Sequence, residues 1–185
     1  MSNTRDADTS MLRHIQLANH LMDVGEPRRG RILTWIDVHW TAIASAPGSS
    51  GNHQTWPGGF LDHTLQLLDT ANRLVAALPS VHPLPTNIDL NALKTVLLFH
   101  DVEKPFKYTT GLPQDWDKNR YLTHDLARDW GIAFSPDELN ALTYVHGEGD
   151  DYRKNTRIMG PLAAFAHTCD ILSARVWFDR GAPNV

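Results

Sequence analysis

The chain has 185 residues, 42% of them hydrophobic and 21% charged, with a net charge of -4. That length fits one domain able to bury its own core, and the mild acidity gives no global attraction to nucleic acid or an anionic membrane. Cys169 is the only cysteine, so an internal disulfide is excluded and a reducing, cytoplasmic setting is expected. Neither a secretory leader nor an apolar run of about 20 residues is legible.

Apolar residues recur at helical spacing and strict alternation is missing, which predicts an all-α fold: a single-domain helical bundle over residues 1–185. A first helix is expected to follow an N-cap at Thr9 or Ser10 and run to about Val24, closed by Gly25 and Pro27. The second covers roughly Arg28 to Ala46, with Ile32, Leu33, Ile36, Trp40 and Ile43 facing inward. A Gly/Ser/Pro loop leads through Gly59 to a third helix, about Phe60 to Leu78, whose apolar stripe carries His63 near its start.

Asp89 is placed to cap a fourth helix in which Leu93, Leu97 and His100 share a face, with Asp101 one step round and Pro105 limiting its continuation. Phe106 to Tyr121 reads as an ordered loop able to cover a site, and His124 as part of a short helix capped by Thr123. Ser135-Pro136-Asp137-Glu138 combines a capping box with proline at the first helical position, so a helix is expected from Pro136 to about His146. A last helix, about Gly160 to Phe178, places Leu162, Ala166, Asp170, Ala174 and Trp177 near one stripe. A carboxylate on a buried stripe needs a partner.

These elements bring forward His63, His100, Asp101, His124, His146 and Asp170 as candidate metal ligands, with His167 an alternative one turn before Asp170. Mixed imidazole and carboxylate donors suit Mn, Fe, Co, Ni or Zn, and an oxygen-rich remainder admits Mg. One or two such ions would favour phosphoester hydrolysis through an activated water. Lys104, three residues beyond Asp101, is placed to meet a phosphate oxygen, and Arg28 could add positive charge if it is not simply a solvated turn residue. Trp56, just before His63, offers an aromatic face to a base or else plugs its loop; Tyr108, Tyr152 and Trp177 are lesser candidates of the same kind. Glu103 and Glu148 read as proton donors, orienting groups or surface acids. His14, His20, His39, His53 and His82 read as interior or surface histidines.

The order His63, then His100-Asp101, then a distant Asp170 resembles the HD-domain phosphohydrolase superfamily, across roughly residues 56–178. Leu98-Phe99-His100-Asp101-Val102-Glu103-Lys104 is similar to the His-Asp-x-x-Lys form of many members. The resemblance implies an HD-type helical bundle in which His63, His100, Asp101 and Asp170 hold a first metal and Asp101, His124 and His146 a second. The activity expected is hydrolysis of a nucleotide or another small phosphoester. A metal-dependent nuclease on single-stranded nucleic acid and a non-catalytic, metal-stabilised binding module are the alternatives; nucleic acid is not favoured as a partner, and a membrane is not expected to be one.

Overall fold

A computed structural model of the chain describes residues 3–86 and 88–177. Among the described residues the fold is all-α, with no strand beyond one isolated bridge between Arg153 and Thr156. No helix there is long and apolar enough to cross a membrane. The helices enclose a single cluster of buried apolar side chains, and Trp35, Phe99, Leu67 and Leu97 lie within it.

The first helix, α1, spans Asn3–His20 and gives way to a 3-10 turn at Leu21–Asp23. It therefore starts before the expected cap. Ser10 lies inside it, and its hydroxyl accepts from the indole of Trp40 at 3.0 Å, tying α1 to α2 (Arg28–Ser45). After α2 the loop turns back so tightly that a Cβ added to Gly59 would lie 1.9 Å from the carbonyl oxygen of Gln54. Only glycine fits there. Gln54 itself takes a left-handed backbone conformation, φ 42°.

Helix α3 (Gly59–Ala77) packs against α4 (Leu90–Phe99), whose N-cap is Asp89 as expected: its carboxylate accepts from the Ala92 amide at 2.7 Å. Lys94 is buried on α4 and paired with Asp23, which anchors the end of α1. One turn after α4 the chain becomes helical again as α5 (Glu103–Thr109). The expected loop from Phe106 thus begins later, because Pro105 sits in the first turn of α5, where a missing amide hydrogen costs no helical bond.

The next helical segment is capped by Asp117, not Thr123. It comprises α6 (Lys118–Arg120), a π-helical turn at Tyr121–Asp125, and α7 (Leu126–Trp130), which ends on Gly131 at φ 65°. Thr123 is already helical and bonds the Asn119 carbonyl at 2.8 Å. Helix α8 (Pro136–Tyr144) has the full Ser135–Glu138 capping box and packs on α9 (Pro161–Ile171). A π-helical turn at Leu172–Val176 continues α9; the expected end at Phe178 lies outside the described residues.

Arg28 belongs to this scaffold. Its guanidinium donates to Glu138 at 2.6 Å and to the Ala133 carbonyl at 2.9 Å, and it lies over the ring of Phe134. The charge proposed for a phosphate is therefore committed to joining α2 to the start of α8. Since Glu138 is buried, Arg28→Met should lower the unfolding free energy in urea by about 3 kcal/mol, the range for stranding a buried charge. The helical signal of the folded protein should be unchanged, and a variant as stable as the parent would contradict this role.

Candidate metal centre

Four helices deliver the site. His63 stands in the second turn of α3, His100 and Asp101 in the turn that closes α4, His146 just after α8, and Asp170 near the end of α9. His63 and His100 are fully buried, Asp101 and Asp170 nearly so, while the His146 ring is 54% exposed. The ends of α4 and α8 pack with α9, so residues 63, 100, 101, 146 and 170 meet despite their separation in sequence.

Their polar atoms converge. His63 Nε2 lies 3.3 Å from Asp170 Oδ1 and 3.9 Å from Asp101 Oδ2. His100 Nε2 lies 3.1 Å from Asp101 Oδ2 and 3.8 Å from Asp170 Oδ1. His146 Nε2 is 3.7 Å from Asp101 Oδ1 and 3.9 Å from Asp170 Oδ2. Two groups, His63-His100-Asp101 and His100-His146-Asp170, each bring three donor atoms within 4.8 Å of one another, the spacing of a cation site. Among the described residues the buried Nε2 atoms of His63 and His100 have no partner in ideal hydrogen-bond geometry, and Asp101 Oδ2, which faces them, is paired with Lys104. Buried polar atoms are seldom left so, and here both face one small volume.

The chemistry of the donors fits a divalent cation. His100 Nδ1 donates to the Leu97 carbonyl at 2.8 Å, which leaves Nε2 as the atom that takes a proton or a metal. Burial pulls the His63 imidazolium down to about 4, against the opposing pull of Asp170 and Asp101. Burial, aided by His100, also lowers His146. At His100 burial acts the same way but is outweighed by Asp101 and Asp170, which hold it above its ordinary range. Burial would raise both carboxyls; His100 and Lys104 instead keep Asp101 well below the usual carboxylate range, and His63 with His100 brings Asp170 to about 2.

Lys104 is paired with Asp101, its Nζ 2.5 Å from Asp101 Oδ2. His124 is not brought to the cluster: its ring is 64% exposed and lies 3.2 Å from Asp125, because the π-helical turn carries it on the outer side. The second ligand set expected from Asp101, His124 and His146 thus lacks one member here. Trp56 is pinned as a loop plug, its indole donating to Asp62 at 2.6 Å, and Arg13 holds the same carboxylate. Glu103 pairs with Lys118 at 3.0 Å.

A cavity of about 340 Å³ opens over Asp101 and Asp170, with His53, His146, His167 and Arg175 in its walls. Arg175 is exposed and has no ion-pair partner among the described residues. His167 donates from Nδ1 to the Val145 carbonyl at 2.6 Å, leaving Nε2 free. Sequence reasoning passed over His53 and Arg175, together with Gln54, Gln66 and Ser173 behind His63. Gln66 and Ser173 had a signal, since each lies three residues after a candidate ligand on the same helical segment. For His53 and Gln54 there was none, as only the folded loop brings them in. No family model, curated protein or solved structure matched the chain.

With His63 and His146 neutral and His100 holding its proton, a cation has to displace that proton to bind. Below the pKa of His100 one proton leaves per ion, so affinity should climb about tenfold per pH unit and level off above it. Metal titrations from about pH 6 to about pH 8, across the usual histidine range, check the sign. An affinity that falls as pH rises would contradict it.

Proposed function

We propose that the chain is an HD-type, metal-dependent phosphohydrolase that cleaves a phosphoester bond of a nucleotide or a related small phosphoester. The observation that carries this reading is the convergence of the buried Nε2 atoms of His63 and His100 on Asp170 and Asp101, at 3.3 and 3.1 Å. His63, His100, Asp101 and Asp170 would hold one divalent ion (Mn, Fe, Co, Ni, Zn or Mg); His146 is available to a second that shares the carboxylates. Such an ion supplies Lewis acidity toward a phosphoryl oxygen and acidifies water.

The remaining work falls to this chain's own groups. Lys104 offsets the charge of Asp101 and offers donors to a phosphate oxygen that approaches it. Arg175, at the mouth of the cavity and without an ion-pair partner among the described residues, supplies a planar set of donors matched to phosphate. Burial of His63 and His100 removes competing water from the ligand atoms. The open cavity favours catalysis over a structural role, since a structural ion is closed in by its ligands. A nuclease needs a positive channel, and a net charge of -4 gives that alternative no support.

The purified chain should contain a transition metal, or accept Mn, Co, Ni or Mg, and release phosphate or nucleoside from at least one member of a phosphoester panel. Asp101→Ala, which removes a ligand, should lower its metal affinity and its turnover by more than the roughly 100-fold that loss of an outer supporting group can cost, with most of the helical signal kept. If no ion binds, or if Asp101→Ala turns over substrate like the parent, the reading is wrong.

A further inference from the structure

Behind His63 lies a chain of hydrogen bonds that begins at a backbone carbonyl. Gln54 is fully buried, and its Nε2 lies 3.3 Å from the carbonyl oxygen of Ser173. A carbonyl can only accept, so this contact fixes which end of the Gln54 amide carries the hydrogens. Gln54 Oε1 then turns to His53 Nδ1, and Gln54 Nε2 donates to Gln66 Oε1 at 3.0 Å. Ser173 Oγ lies 2.7 Å from the same Gln66 oxygen and has one proton to give, which goes there. Toward His63, 2.9 Å away, Ser173 Oγ must therefore accept, and Nδ1 must carry the hydrogen. The free lone pair of His63 is thus on Nε2, the atom that faces Asp101 and Asp170.

We infer that Ser173, Gln66 and Gln54 are positioning residues that hold His63 in its Nδ1–H tautomer and so aim the Nε2 lone pair at the ion. This rests on the metal-centre reading for its use, though not for the tautomer itself. The surroundings are built to the same end. The π-helical turn that follows Asp170 includes Ser173, which is wholly buried. Gln54 is held in its left-handed conformation by a loop whose carbonyl bonds the Gly48 amide at 2.8 Å and presses on Gly59. His100 reaches the same tautomer by a shorter route, through Leu97. Orienting partners of this kind raise metal affinity by roughly 10- to 100-fold.

Two measurements test the assignment. In the metal-free protein at neutral pH, imidazole nitrogen chemical shifts should show His63 protonated on Nδ1 and bare on Nε2. Ser173→Ala should mix the two tautomers. In competition with a chelating dye for Mn, Co or Zn, Ser173→Ala and Gln66→Leu should each lose roughly 10- to 100-fold in affinity, whereas Gln66→Glu, which keeps an accepting oxygen, should retain most of it. In a His63→Ala background the Ser173 substitution should cost almost nothing more. A His63 that carries its hydrogen on Nε2, or an equal loss from Ser173→Ala with and without His63, overturns the inference. The nitrogen shifts of the parent need neither a variant nor a bound ion, so they answer even if Ser173→Ala fails to fold. A protein that takes up no metal at all would instead remove the hydrolase reading and leave the tautomer to be decided by its spectrum.

Discussion

Two carboxylates, Asp101 and Asp170, sit almost without water against two wholly buried imidazoles. Removing an ion from water costs several kcal/mol even after relaxation, so the charges must be compensated where they stand. Lys104 and His100 compensate Asp101, and His63 and His100 compensate Asp170. The helix ends, their packing on α9 and the glycine loop before α3 all serve to make that compensation possible at one place. A cation would take over part of it, replacing a proton on His100 with a charge that all the ligands can share.

The network behind His63 shows how such a centre is kept in order. His63 and His100 each have one nitrogen for the cluster and one for the scaffold, and the scaffold side is settled by oxygen atoms with little freedom to reverse roles. A backbone carbonyl does this for His100. For His63 the backbone reaches the ring only through two amides and a hydroxyl, so its orientation depends on a loop and two helices together.

Much of this was legible in the sequence because it follows local rules. Asp89 and Ser135 cap the helices they precede, and the apolar stripe of α3 turned His63 inward as its spacing required. It was the resemblance to the HD-domain pattern, and not spacing, that made His63, His100, Asp101 and Asp170 neighbours in expectation. What failed depended on departures from ideal helix geometry or on distant partners. A π-helical turn moved His124 outward, and Ser10, read as a possible cap, bonds to Trp40 on another helix. Arg28 looked like a free charge because Glu138, its partner, lies more than a hundred residues away. His53 and Gln54 belong to a loop whose path depends on a close backbone approach that no periodicity reports.

The π-helical turn at Leu172–Val176 constrains how this protein can change length. It leaves Asp170 in the last turn of α9 and takes Ser173 into the irregularity, the first facing the cluster and the second bonded to the ring of His63. Deleting Ile171 or Leu172 would turn Ser173 by about 100° about the helix axis relative to Asp170. Asp170 would keep its place while the hydroxyl left the imidazole. This stretch can thus exchange side chains on its outer face, but insertions and deletions within it are closed to it unless the loop carrying Gln54 is rebuilt at the same time.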